Sequence, residues 1–202
     1  MFTGIVTEIG AIANVRRDGG GATIEVEAPA TAKDLAIGDS VAVDGVCLTA
    51  MHVGEDRFTV EAVEETLARS TLGAKESGEA VDLERPVSAV GRFDGHLVQG
   101  HVDAAGEVVA VAPEGQSRRV RVTLPTHLGS YIVEKGSIAM DGVSLTITSV
   151  AAPEATEPWF EVVLIPHTLE STVLGGRGPG DQVNIEVDVM AKYLERWMEV
   201  RG

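Results

Sequence analysis

The chain has 202 residues, a formal net charge of −15 and one cysteine. Because such a charge repels phosphate backbones and anionic lipid, the composition argues against nucleic-acid binding and membrane-surface binding. A single cysteine excludes an intramolecular disulfide, and neither a signal-peptide pattern nor an apolar run of roughly 18 residues is present, so we expect a soluble cytoplasmic protein.

The first half of the chain is typical of a small all-β unit, because short stretches with period-two alternation lie between turns. Two helical pieces interrupt them, at residues 31–35 and 66–72, and Thr66 is a candidate N-cap for the second piece. Strands are predicted at residues 1–15, 23–28, 40–49 (as a hairpin), 57–63 and 80–84. Six short strands with little helix predict a closed barrel, which also removes exposed sheet edges.

Most of residues 40–49 is repeated at residues 137–146. Each copy has an Asp-Gly pair between two apolar stretches, the strongest short signal for a β-hairpin with a type I′ turn. Gly4 recurs as Gly100 and Thr66 as Thr168, in the same order along the chain. The sequence therefore predicts an internal duplication. The second set of strands is predicted at residues 100–111, 118–124, 136–150, 159–164 and 182–188.

These repeats predict an N-terminal barrel at residues 1–91 and a C-terminal barrel at 92–188. A third unit, a helix at 189–202, lies outside the repeats. The helix is predicted from apolar residues at helical spacing. They are Val189, Met190, Tyr193, Leu194, Trp197 and Met198. This apolar stripe either docks on the barrels of its own chain or meets other copies of the chain, and the sequence does not choose between them.

We expect the chemistry to lie where the two copies differ, because a duplication first gives two like pockets. Cys47 corresponds to Ser144 and Ile5 to His101, whereas Thr49 and Thr146 are shared. A lone strand cysteine is more often a small buried apolar residue than a nucleophile, and His101 could equally be structural. The five histidines show no zinc-like spacing and no Gly-rich nucleotide motif is present, so we expect no metal and no cofactor.

Several segments resemble the riboflavin synthase family of alpha-chain type, built from lumazine-binding domains. They are residues 1–6, 44–49, 95–103, 135–146 and 165–169, and the resemblance spans nearly the whole chain. It implies an all-β fold of two tandem six-stranded Greek-key barrels followed by a C-terminal helix. Asp94 departs from the family pattern, in which Gly is common at this position, and we expect a loop change of little catalytic consequence.

The resemblance also implies a reaction and an assembly. Two 6,7-dimethyl-8-ribityllumazine molecules, one per barrel, undergo a four-carbon transfer that yields riboflavin and 5-amino-6-(ribitylamino)uracil, without cofactor or metal. The C-terminal helices hold a homotrimer, and each site, with its two substrates, lies between the N-terminal barrel of one subunit and the C-terminal barrel of the next. No nucleic-acid or membrane partner is implied.

The family's site residues carry over by position. His101 is implied for proton transfer, Cys47 and Ser40 as donors or nucleophiles, and Asp188 for orienting hydroxyls, with Thr146 also in the catalytic set. One pocket is expected to contain Gly4, Ile5, Val6, Cys47, Leu48, Thr49, Glu61, Ala62, Val63, Glu64, Glu65 and Thr66. The other is expected to contain Gly100, His101, Val102, Lys135, Ser144, Leu145, Thr146, Leu164, Ile165, Pro166, His167, Thr168 and Leu169.

Two alternatives come from other classes of protein. Antenna-type proteins of the same fold bind lumazine or flavin without turnover, and they tend to lose the cysteine and histidine positions that are present here. A purely structural all-β protein would leave the matched differences between the copies unexplained. The presence of Cys47, His101, Ser144 and both threonines favours the enzyme.

Overall fold

The computed structural model describes residues 1–152 and 155–201 and contains two closed, antiparallel, six-stranded barrels. The neighbour order around the first barrel is β1-β2-β5-β4-β3-β6, and β7 to β12 follow the same cyclic order in the second. The first-barrel strands are β1 (Glu8–Arg17), β2 (Gly21–Glu27), β3 (Ser40–Val43), β4 (Val46–Val53), β5 (Arg57–Val63) and β6 (Ala80–Glu84). The second-barrel strands are β7 (Ala104–Glu114), β8 (Ser117–Thr123), β9 (Ser137–Met140), β10 (Val143–Val150), β11 (Trp159–Leu164) and β12 (Gln182–Val187).

This order confirms the predicted Greek-key barrels, because β3, β4 and β5 form a meander and β6 returns beside β3. In the part of the chain that the structure describes, four α-helices lie outside the barrel walls: α1 (Pro29–Lys33), α2 (Glu64–Arg69), α3 (Pro166–Ser171) and α4 (Val189–Arg201). Short 3₁₀ turns lie at Thr71–Ala74, Thr126–Tyr131 and Val173–Gly176. Within the described residues, no helix combines the length and apolarity needed to cross a lipid bilayer.

The two hairpin predictions are confirmed in detail. Asp44 and Gly45 have φ values of 45° and 76°, and Asp141 and Gly142 have values of 46° and 82°. Two successive positive φ values are what a type I′ turn requires, and they match the right-handed twist of the strands. The Asp-Gly pairs therefore set the register of β3 with β4 and of β9 with β10.

The predicted N-cap at Thr66 is wrong. Helix α2 begins at Glu64 after an extended Val63, so Thr66 lies inside the helix. Glu64 and Glu65 occupy the first turn, where negative charge is favourable beside the positive end of the helix dipole. The carbonyl of Thr66 instead accepts hydrogen bonds from the amide and the hydroxyl of Ser70.

Each barrel has its own apolar core, and a third small cluster lies between the barrels. That cluster consists of Phe2, Ala42, Val98 and Ala139, all nearly inaccessible to solvent. Phe2 and Val98 exchange two backbone hydrogen bonds of 2.7 and 3.1 Å. The segments that precede the two barrels are therefore paired with each other.

A polar network joins the two hairpin turns across the barrel interface. Lys75 Nζ lies 2.9 Å from the Asp44 carboxylate, and an Arg177 guanidinium nitrogen lies 3.2 Å from the Asp141 carboxylate. The Asn184 side-chain amide donates to the Asp44 carbonyl at 2.8 Å, and its oxygen accepts from the Thr71 amide at 2.7 Å. Buried charges need partners of this kind, and the network pairs each of the two carboxylates with a cation.

Asp82 occupies the position in the first repeat that Asn184 occupies in the second. Its Oδ1 accepts from the Val173 amide at 2.9 Å, as the Asn184 oxygen does from Thr71. Its Oδ2, the counterpart of the Asn184 amide nitrogen, is buried and has no hydrogen-bond partner among the described residues. Burial, helped by the nearby Asp44 carboxylate, raises the pKa of Asp82 to about 8. A pKa of about 8 favours the protonated form of Asp82 at pH 7.

This arrangement predicts a pH-dependent stability that Asp82→Asn removes. Because the pKa of Asp82 rises from 3.8 to about 8 on folding, the folded state binds the extra proton between those pH values. Stability then falls as the pH rises through this window, by at most about 1.4 kcal/mol per pH unit for one proton. In urea titrations, the free energy of unfolding of Asp82→Asn should exceed that of the parent chain at pH 8–9, with a difference that shrinks towards pH 5.

The matched variant is Asn184→Asp, which places a second acid at the symmetry-related position. We expect it to steepen the loss of stability with pH. If Asp82→Asn left the pH dependence unchanged, Asp82 would be ionised in the folded chain.

Candidate active site

Two glycines bring the segments before the barrels onto the hairpin strands. The Gly4 carbonyl accepts from the Ser144 amide, and the Gly100 carbonyl accepts from the Cys47 amide, both at 2.8 Å. The φ values of Gly4 and Gly100 are +77° and +80°, and a Cβ added to either would lie 2.6 or 2.5 Å from the Cβ of its neighbour. Only glycine fits these positions, because a side chain would collide with Ser144 or Cys47.

Two buried glutamates hold these glycine segments in place. Glu84 accepts from the amides of Thr3 and Gly4 at 2.7 and 3.0 Å and from the Thr3 hydroxyl at 2.9 Å. Glu186 accepts from the amides of Gln99, Gly100 and His101 at 2.7, 2.9 and 2.9 Å. Burial raises the pKa of both carboxyls, while the donated hydrogen bonds oppose this shift by favouring the charged form.

The two glycine segments contact the opposite barrels from those expected. Residues 4–6 were grouped with the first barrel and residues 100–102 with the second. Gly4 contacts Ser144 of the second barrel, and Val6 packs against the second core. Gly100 contacts Cys47 of the first barrel, and Val102 packs against the first core. The repeat pattern could not reveal this exchange, because sequence offsets match residues between copies but do not say which barrel a connecting segment touches.

The candidate site of the first barrel lies on the outer face of β4. Cys47 and Thr49 point outwards on either side of the core residue Leu48, and they pair with Ala42 and Ser40 of β3. His101 is exposed and follows directly on Gly100, which packs on Cys47. The remaining predicted residues lie at the end of β5 and in the first turn of α2; they are Glu61, Ala62, Val63, Glu64, Glu65 and Thr66.

The candidate site of the second barrel has the same construction. Ser144 and Thr146 lie on the outer face of β10 and pair with Ala139 and Ser137 of β9, with Leu145 between them. Ile5 follows Gly4 and is 44% exposed. The end of β11 and helix α3 contribute Leu164, Ile165, Pro166, His167, Thr168 and Leu169. The two sites thus share an outward threonine but differ in the reactive side chains beside it.

Two predicted residues lie at the edges of this second site. Lys135 is exposed and has a φ of +68°, a left-handed conformation that costs energy for a residue with a side chain. The first repeat has Gly38 at the corresponding position. Asp188 precedes α4, and its carboxylate accepts from the Met190 amide at 3.0 Å. One Asp188 oxygen is therefore used to cap the helix.

His96 is not among the residues predicted from the sequence, and its Nδ1 lies 2.7 Å from the Ser144 hydroxyl oxygen. The first repeat has no residue that corresponds to His96, so differences between the two copies could not point to it. The signal that could have found it is the Gly-His pair at residues 95–96, which resembles the second pair at residues 100–101. Within the described residues, no three His, Cys, Asp or Glu side chains are close enough together to hold a metal.

Comparison with solved structures finds the same architecture. A structure titled LumP complexed with 6,7-dimethyl-8-(1'-D-ribityl) lumazine superposes with a TM-score of 0.82 at 20% sequence identity, covering 93% of this chain and 99% of the other. The complex of LumP with riboflavin gives a TM-score of 0.83 at 22% identity, with the same coverage. At these identities the likeness concerns the fold.

Comparison of sequences is more specific. The model of the lumazine binding domain matches the chain twice, at residues 3–86 and 99–188. The riboflavin synthase of Mycobacterium bovis is 46% identical over 203 residues, which cover 100% of both chains. That of Bacillus subtilis is 36% identical and covers 98% of this chain and 90% of the relative. The chain therefore belongs to the lumazine binding domain family and, within it, to the riboflavin synthases.

Proposed function

We propose that the chain converts two molecules of 6,7-dimethyl-8-ribityllumazine into riboflavin and 5-amino-6-(ribitylamino)uracil, with one molecule on the outer face of β4 and one on that of β10. The observation that carries this is the pair of matched sites. Each has an outward threonine on the hairpin strand and a glycine segment from the other repeat. Two identical substrates with different fates need two pockets of this kind.

Different side chains in the two sites give the two substrates different roles. Cys47 and His101 are combined on the first barrel, whereas Ser144 and Ile5 are combined on the second. An imidazole is suited to proton transfer near neutral pH, and Glu186 fixes the backbone of the exposed His101 by accepting a hydrogen bond from its amide. The shared Thr49 and Thr146 are suited to recognise the group that both substrates have in common.

The alternative is a protein of the same fold that binds lumazine or flavin without converting it. LumP, the structural neighbour solved with 6,7-dimethyl-8-(1'-D-ribityl) lumazine and with riboflavin, is only 20–22% identical to this chain. The riboflavin synthases are 36–46% identical over nearly the full length, and Cys47 and His101 are both present here. Mixing the purified chain with 6,7-dimethyl-8-ribityllumazine and following riboflavin absorbance separates the two, because the alternative gives none.

Assembly into a homotrimer through α4 is part of the proposal. Of the apolar stripe only Val189 is buried; Tyr193 is 70% exposed and Trp197 54% exposed. Between α4 and residues 130–137 lies a groove of about 550 Å³. A single copy therefore leaves this apolar face uncovered, and other copies can cover it. The first barrel of one copy would then complete a site with the second barrel of the next.

Substitutions on α4 test its role in assembly. The double variant Leu194→Ser/Trp197→Ser should sediment as a monomer or dimer and lose most of its turnover, because buried apolar side chains each contribute roughly 1.5–3 kcal/mol. Riboflavin binding to single barrels should persist. The control is Arg196→Ser on the polar face, which should remain a trimer. A trimeric double variant would exclude α4 as the main contact.

Substitutions of His101 and Thr49 separate catalysis from recognition. His101→Gln should lower kcat by about 10²–10⁴-fold with little change in the dissociation constant for lumazine, because general acid-base assistance typically contributes that much. Thr49→Val, in the same site, should chiefly weaken binding by about 0.5–1.5 kcal/mol, the value of one neutral hydrogen bond. Thr146→Val should act in the same way on the second site.

Steady-state kinetics and direct binding titrations measure the two effects separately. His127→Gln provides the control, since His127 is exposed in the turn Thr126–Tyr131 and is not among the predicted site residues. The assignment would be wrong if His101→Gln raised the dissociation constant as much as it slowed turnover.

A further inference from the structure

Helix α4 docks on its own second barrel through a face that its exposed apolar side chains do not use. Val189 is buried on this face, and Lys192 Nζ lies 2.7 Å from Asp103 Oδ1. One turn further on, Glu195 accepts a hydrogen bond from the Tyr131 hydroxyl. These helix residues recur at every third position, so they share one side of the helix. Docking on the chain's own barrel therefore leaves the apolar side chains free to meet other copies.

Asp103, the partner of Lys192, anchors the segment that carries His101. Asp103 Oδ2 accepts a hydrogen bond from the Val187 amide at 2.9 Å, and the Asp103 amide donates to the Ile185 carbonyl at 2.8 Å. Asp103 lies two positions after His101. The ion pair therefore connects α4 to the chain just beyond the proposed proton-transfer residue.

The Lys192 charge also acts on Glu186, which holds the same segment through the amides of residues 99–101. Burial raises the pKa of Glu186, and the Gln99 amide and the Lys192 ammonium oppose this shift because they favour the charged form. A carboxylate accepts stronger hydrogen bonds when it is charged. Lys192 therefore strengthens the hold of Glu186 on the backbone of His101.

The first repeat has a different arrangement at the equivalent positions. Thr7 corresponds to Asp103 and carries no charge, and its hydroxyl donates to the Leu83 carbonyl at 3.2 Å. Burial raises the pKa of Glu84, and the groups that oppose this shift include the Met1 amino group instead of a lysine. The ion pair with α4 thus distinguishes the second glycine segment from the first.

We propose that Lys192 is a positioning residue, which fixes the backbone that carries His101 through Asp103 and Glu186. The proposal rests on the proposed function and deepens it, because it connects the helix that other copies would cover with the residue that would transfer the proton. Misplacement of a catalytic group by about 1 Å can lower a rate by about 10²-fold, so the hold on this backbone matters for turnover.

Substitutions of Lys192 test its charge. Lys192→Gln should lower kcat about tenfold, change the lumazine dissociation constant less than about threefold, and sediment as the parent chain does. Lys192→Arg should restore at least about half of the parent kcat, because a guanidinium can still pair with Asp103. The matched control is Arg196→Gln on the same helix, where Arg196 pairs with Glu199, and it should keep the parent kcat. Full kcat in Lys192→Gln, or a Lys192→Arg variant as slow as Lys192→Gln, would overturn the proposal.

Two further variants test the route from Lys192 to the site. Lys192→Gln should slow the His101→Gln variant no further, since a positioning residue acts through the residue that it positions. Losses that multiplied in the double variant would contradict this route. Asp103→Asn removes the partner's charge without altering α4 and should reproduce the loss of kcat, so it decides the matter if Lys192→Gln changes the assembly. A full-rate Asp103→Asn variant would overturn the proposal.

Amide hydrogen exchange followed by NMR separates this proposal from the proposed function, because it does not depend on turnover. In Lys192→Gln, the amides of Gly100 and His101 should exchange about tenfold faster than in the parent chain, while the amides that Glu84 holds should keep their rates. If the parent chain formed no riboflavin but these rates rose, the proposed function would fail and the positioning by Lys192 would stand. Unchanged exchange at Gly100 and His101 would overturn the positioning, whatever the activity.

Discussion

The reciprocal packing of Gly4 on Ser144 and of Gly100 on Cys47 is the constraint on which the rest of the structure depends. Each contact joins a segment of one repeat to the hairpin strand of the other, at distances that exclude any side chain on the glycine. Glu84 and Glu186 fix these segments through their backbone amides. Both proposed sites therefore depend on contacts between the two repeats.

Divergence between equivalent positions gives this nearly symmetric scaffold its asymmetry. At the interface, Asp82 stands where the second repeat has Asn184, and burial together with the nearby Asp44 carboxylate raises the pKa of Asp82 to about 8. At the candidate sites, divergence places the Cys47 thiol and His101 beside β4. It places the Ser144 hydroxyl and the imidazole of His96 beside β10. Two like pockets thereby become suited to two different roles for one substrate.

The sequence predicted the features that depend on local physics. Alternation of apolar residues and the Asp-Gly pairs located the strands and both hairpins, since strand period and turn conformation are encoded within a few residues. The N-cap at Thr66 was misplaced because two glutamates begin the helix earlier. The packing of Gly4 on the second barrel and of Gly100 on the first are tertiary contacts, as is the contact of His96 with Ser144. Each joins residues that are distant in the sequence, so no local pattern could specify them. The roles of His101, Cys47, Ser40 and Asp188 stay predictions.

A crystal structure of the chain with bound 6,7-dimethyl-8-ribityllumazine, or with an unreactive analogue, tests the central claim most directly. The account predicts two ligands per chain, one beside Cys47 and Thr49 with His101 in contact, and one beside Ser144 and Thr146 with Ile5 in contact. A ligand on β10 that contacts His101, or one on β4 that contacts Ile5, would contradict the exchanged arrangement of the two sites.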